Sequence, residues 1–139
     1  MNALDAIAVR VETATGNVLP LLHEIRHALG RLAEGREGTV IDLRSLPLAP
    51  GEEQRIEAAL GKGEVRAELD ALGTSVVQET SYPGVWLVTH RNTENEVVAR
   101  FIEVSRMPEL LHAQTEDIQS GLNRLEDELT GARQGRELD

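Results

Sequence analysis

The residues whose types and spacing best suit chemistry are His23-Glu24-Ile25-Arg26-His27. This is the H-E-x-x-H pattern. On a helix it puts two imidazoles one turn apart as zinc ligands and leaves the Glu as general base for peptide hydrolysis. Such a centre also needs a third protein ligand and a cleft into which both rings turn. Helix geometry argues against it. With Leu21 as origin, the apolar set Leu21, Leu22, Ile25, Ala28, Leu29 and Leu32 centres near about 35°, whereas His23 and His27 fall at about 200° and 240°. Both histidines therefore face away from the apolar stripe. His90 and His112 are the other histidines in the chain, and no local spacing selects either as the third ligand. The pattern reads as a solvated helix face, and no catalytic residue or metal ligand is assigned. A metal-dependent hydrolase is the rival reading, decided by where the two rings point.

Other chemistry has less support. Ser45, Ser75, Ser81, Ser105 and Ser120 all lack a G-x-S-x-G setting. Gly61-Lys62-Gly63 is too short to cradle phosphates and reads as a helix stop. The pairs Glu52-Glu53 and Glu126-Asp127-Glu128 suit helical polar faces, and the first also suits a helix N-terminus electrostatically. Tyr82-Pro83-Gly84-Val85-Trp86 is different. It gathers two of the chain's three aromatics at a tight turn entering a strand. Tyr and Trp are frequent interface anchors, but a Trp whose indole N–H meets a carbonyl is equally at home in a core. Strand alternation does not decide between the two.

The elements that must position these groups follow from hydrophobic period. Residues 4–13 alternate weakly, with Ile7, Val9 and Val11 on one side, as in a short strand or edge arm. Asn17 is placed to cap a helix running to about Glu34, with Pro20 in its first turn and Gly35 as its stop. A strand is predicted over Thr39–Leu43 and a second helix over about Glu52–Leu60. Period-two strands follow at about 64–70, 74–81, 85–91 and 96–104, separated by turn signals. Short spacing favours an antiparallel meander. Pro108 opens a short helical turn. Thr115 caps a last helix, on which Ile118, Leu122, Leu125 and Leu129 make one narrow stripe.

The expected fold class is therefore α+β: a mostly antiparallel sheet of about four to six strands against about three to four helices. A single domain is expected over residues 1–130, with a polar tail at 131–139.

Between the first strand and the second helix, Thr39 to Gly51 leaves regular structure through Pro47 and Pro50. It keeps Leu46, Leu48 and Ala49 where a loop would ordinarily be polar. A loop with apolar side chains is packed down or waiting for a partner.

Composition bounds the function. The chain has 139 residues, enough to bury a core without a covalent staple. It has no cysteine, which excludes disulfides, thiol redox chemistry and a cluster held by its own thiolates. It carries 24 carboxylates against 14 Lys and Arg, a net charge of −10. That charge repels phosphate backbones and argues against nucleic acid. There is no apolar run of membrane-spanning length, so no membrane partner is expected. The N-terminus lacks a basic region followed by an apolar block, which makes the cytoplasm the expected compartment.

Several segments together resemble a known family. They are Asn17-Val18-Leu19-Pro20-Leu21-Leu22-His23-Glu24-Ile25, the stretch Thr39 to Leu48, Tyr82-Pro83-Gly84-Val85-Trp86 and Gln114-Thr115-Glu116-Asp117-Ile118. They are similar to the conserved domain of hydrogenase expression/formation proteins of the HupH/HyaF type, over about residues 6–130. The resemblance implies a non-catalytic accessory protein in maturation of nickel–iron uptake hydrogenase. Its implied role is a chaperone or scaffold for a subunit precursor, the small subunit being favoured, and it implies no cofactor. Leu46, Pro47, Leu48, Tyr82 and Trp86 are the partner-binding residues expected on that reading. A third reading is a homodimeric assembly domain joined through the last helix.

Overall fold

The computed structural model describes residues 16–133, so the strand expected at 4–13 and most of the polar tail lie outside the described residues. The chain divides into two compact units, Met1–Pro108 and Glu109–Asp139. In the first, helix α1 (Val18–Ala33) precedes strand β1 (Thr39–Asp42) and helix α2 (Glu52–Leu60). Strands β2 (Arg66–Asp70), β3 (Thr74–Glu79), β4 (Val85–Arg91) and β5 (Val97–Val104) follow. They form one antiparallel sheet in the order β1-β5-β4-β3-β2. The second unit holds a short 3₁₀ turn (Glu109–Leu111) and helix α3 (Thr115–Arg133). The fold class is α+β, as the alternation of periods predicts.

The meander follows from its turns. Tyr82-Pro83-Gly84-Val85 closes with Val85 N–H donating to the Tyr82 carbonyl at 2.9 Å, and Gly84 has φ +92°. Pro at the second position and a positive-φ Gly at the third make a type II turn. Asn92 closes the next hairpin: its side-chain oxygen accepts from the backbone N–H groups of Glu94 and Glu96 at 2.9 and 3.0 Å. β1 joins the far side of β5, with Ile41 opposite Ile102.

The core lies between α1, α2 and one face of the sheet. Val18, Leu21, Ile25, Ala28 and Leu32 form the buried stripe of α1. They pack with Ile56 and Leu60 of α2 and with Ile41, Val85, Leu87, Ile102 and Val104. Pairing of Leu87 with Ile102 and of Val85 with Val104 keeps these strand residues on one face. Val77, Trp86 and Val88 are buried on the other.

Helix α1 ends as Gly35 predicts. Gly35 has φ +83°; its N–H donates to Leu32 O and that of Arg36 to Arg31 O, which is a Schellman closure. At the other end Asn17 makes no side-chain cap; its amide donates to the Pro47 carbonyl at 2.9 Å. A tertiary acceptor replaces the local one. The first strand also stops one residue early. The Asp42 carboxylate accepts the Arg44 N–H at 2.9 Å and folds Leu43–Ser45 into a 3₁₀ turn, a local competition that Asp side chains commonly win. The last helix starts at Thr115 itself, so Thr115 is its first residue and not its cap.

Gly61 ends α2 at φ +70° and ψ −167°, a region open essentially only to glycine. A Cβ there would lie 2.2 Å from Ser81 Oγ. Gly61→Ala is expected to cost about 2 kcal/mol by strain and crowding together. Urea denaturation would show this as a lowered midpoint, whereas an unchanged midpoint would contradict the required conformation.

Candidate functional site

The proline loop is tied down at both ends and apolar in the middle. Asn17 holds the Pro47 carbonyl. Beyond it, the Ala49 N–H donates to Glu52 Oε1 at 2.8 Å, and Glu52 is only 1% exposed. A carboxylate buried at the first turn of α2 thus anchors the loop that leads into it, where the helix dipole favours negative charge. Leu46 and Leu48 are half-buried and pack on the core, while Pro47 is exposed. The loop therefore shows solvent a proline flanked by the edges of two leucines.

The aromatic turn splits into an outer and an inner residue. Tyr82 is 41% exposed at the tip. Trp86 is 7% exposed, and its indole N–H donates to the Ser105 carbonyl at 3.0 Å. Trp86 is thus an interior ring supporting the turn. Gly84 sits so close to α1 that a methyl group there would meet Leu29 and Leu32 at 3.3 Å. Beside it a shallow cleft of about 430 Å³ is lined by Leu29, Leu32, Pro83 and Arg106.

The two features do not converge. Pro47 is bonded at the N-terminal end of α1, and Gly84 lies against its C-terminal end. At ~1.5 Å per residue this separates them by roughly 20 Å along the helix. Leu46, Pro47 and Leu48 form one surface and Tyr82 another.

His23, Glu24 and His27 are all exposed on the outer side of α1, as the helical angles predict. Among the described residues, no group of three or more His, Cys, Asp or Glu is arranged to hold a metal.

A third feature arises from strand register. On the helix-bearing face Val85 and Leu87 are followed along β4 by Thr89 and Arg91, and Ile102 on β5 is preceded by Arg100. There the face opens beside α2 into a cleft of about 500 Å³. Arg100 lies in the cleft wall. Its side chain is 15% exposed and reaches Glu57 at 2.9 Å, Glu53 at 3.7 Å and the Thr89 hydroxyl at 3.3 Å. Arg44, Lys62, Arg66 and Arg91 line the rest. The legible signal was polar residues at helix-facing strand positions. Strand register was needed to bring them together.

Comparison with known proteins gives the family. Residues 15–131 match the family model described as the HupH hydrogenase expression protein, C-terminal conserved region. The chain belongs to this family. A solved structure of the hydrogenase expression protein HupH from Thiobacillus denitrificans is similar to it at a TM-score of 0.78 and 41% identity, covering 84% of this chain and 98% of that one. The hydrogenase expression/formation protein HupH of Rhizobium leguminosarum bv. viciae is 31% identical over 80% of the chain. The hydrogenase expression/formation protein HoxQ of Azotobacter vinelandii is 30% identical over 78%. The chain spans about two fifths of the length of these curated relatives. Among the described residues, no helix is long and apolar enough to cross a membrane.

Within this HupH region Glu52 is the polar side chain most deeply committed to the loop. Glu52→Ala would leave the Ala49 N–H without its acceptor beside a cavity. The expected loss is about 2–3 kcal/mol, with the loop loosened first. Amide exchange at Ala49 is the direct readout: unchanged protection in the variant would contradict the anchoring role.

Proposed function

We propose that the chain is a non-catalytic accessory domain in the maturation of nickel–iron uptake hydrogenase, acting as chaperone or scaffold for a subunit precursor in the cytoplasm. The small subunit is the favoured client. The observation that carries the reading is the match of residues 15–131 to the HupH C-terminal region, supported by relatives that are themselves called hydrogenase expression/formation proteins. The client meets exposed apolar chemistry: Pro47 with the edges of Leu46 and Leu48 on one side, and Tyr82, backed by Trp86, on the other. The acidic surface suits a basic client segment, which it would steer by long-range attraction. His23 and His27 are exposed, and among the described residues no third His, Cys, Asp or Glu is grouped with them to hold a metal, so this reading gives them no catalytic role.

The test is co-purification with the small-subunit precursor, with and without its export signal segment. Recovery of the precursor supports the reading, and preference for the signal-bearing form assigns the basic segment as the contact. Recovery of neither form overturns the small-subunit assignment.

One observation favours self-association as a second reading. Ile118, Leu122, Leu125 and Leu129 on α3 are between 46% and 58% exposed. Their four-three-four spacing is that of a coiled-coil seam. If α3 pairs with a second copy, Leu122→Glu shifts sedimentation towards monomer on dilution. Identical sedimentation of variant and parent would remove this reading.

A further inference from the structure

We propose that the cationic cleft beside α2 is a docking groove for an acidic, extended peptide segment of a partner protein. The inference rests on the cleft alone and is independent of which client the domain serves.

Charge is the first argument. The chain carries a net charge of −10, yet this cleft gathers five cations against two carboxylates, Glu53 and Glu57. Both carboxylates are turned onto Arg100. Arg66 has its own partner in Glu68. Arg44 and Arg91 are held differently. Each gives a guanidinium N–H to a backbone carbonyl, Arg44 to Val97 at 3.2 Å and Arg91 to Asn95 at 3.0 Å. Such bonds fix where the guanidinium sits without neutralising it. Because a guanidinium has five N–H donors in a planar fork, others stay available for a carboxylate.

Shape is the second argument. The lining runs from Arg66 on β2, through Gln78 on β3 and Thr89 on β4, to Arg100 on β5. With strands ~4.8 Å apart this is a span of roughly 14 Å, about the reach of four extended residues. Cations lie towards both ends. Lys62 and Arg66 flank β2, while Arg44 and Arg91 approach β5. A single small anion would engage one end only. A segment with two carboxylates a few residues apart reaches both; Gln54 and Gln78 also line the cleft, and Gln78, whose amide nitrogen donates to the Val65 and Glu79 carbonyls at 3.3 and 2.9 Å, offers its side-chain oxygen as an acceptor. Glu53 and Glu57, both turned onto Arg100, together with the overall negative charge, disfavour a continuous polyanion such as nucleic acid.

The experiment is fluorescence anisotropy of the full chain with a labelled octapeptide of mixed Asp and Glu, at low ionic strength. Saturable binding is expected. It should weaken at least roughly tenfold in the double variant Arg44→Gln/Arg91→Gln, and fall as salt rises. Arg26→Gln/Arg124→Gln, which removes the same charge elsewhere, should bind like the parent. Gln54→Glu on the exposed rim tests the groove without touching its arginines and should also weaken binding. No binding by the parent, or equal loss in the Arg26/Arg124 control, overturns the proposal. Displacement of the peptide by equimolar pyrophosphate would assign a small-anion site and overturn it as well.

Discussion

Ile102→Ala is expected to lower the unfolding free energy by about 3–4 kcal/mol, within the range for truncating a buried aliphatic side chain and leaving a cavity. Ile102 is fully buried on β5, the strand between edge strand β1 and β4, with Ile41 opposite it on β1 and Leu87 on β4. It therefore joins the edge strand to the centre and both to the helical layer. Against a typical domain stability of about 5–15 kcal/mol the loss is large. Val98→Ala supplies the contrast on the same strand. Val98 is 56% exposed, and its truncation should cost less than about 0.5 kcal/mol. Urea midpoints at constant slope report both. Equal losses at the two positions would mean that this strand does not hold the core as described.

Trp86→Ala and Tyr82→Ala should separate structure from partner binding within one turn. Trp86 loses a buried ring and its bond to the Ser105 carbonyl, for an expected cost of about 3–5 kcal/mol. Tyr82 is 41% exposed at the tip of the same turn, and its truncation should cost less than about 1 kcal/mol. On the proposed function, Tyr82→Ala reduces precursor capture while leaving the melting transition nearly in place. A Tyr82 variant that melts early, or a Trp86 variant that melts like the parent, would reverse the roles assigned to the two rings.

The parts legible in the sequence were those governed by neighbours along the chain. The apolar period of α1 gave its buried face and the outward direction of His23 and His27. The bounds of α2 and β4 followed from Gly61 and from the Pro83-Gly84 turn. The parts that were not legible depend on partners far away in sequence. Asn17 has a good local capping role open to it, but the Pro47 carbonyl, thirty residues on, takes its amide. Asp42 stops β1 early through a side-chain bond that propensity alone does not weigh. The face chosen by Trp86 was undecided until its register against Glu79 on β3 and Glu103 on β5 was known. The cationic cleft needed most of all: four strands in register and a helix that stops short of covering them. Leu46, Pro47, Leu48 and Tyr82 stand out in the sequence as apolar or aromatic oddities, but the separation of the proline loop from the aromatic turn by the length of α1 is a three-dimensional fact.

The proposed function is a binding role. Its most direct test uses purified components. The chain is titrated into the small-subunit precursor of a nickel–iron hydrogenase, and complex formation is followed by size-exclusion chromatography with light scattering. The account predicts a saturable complex that Pro47→Asp or Tyr82→Asp weakens without lowering the melting temperature by more than a few degrees. No complex with the parent chain at concentrations that saturate other chaperone–client pairs, with the precursor itself folded and soluble, would contradict it.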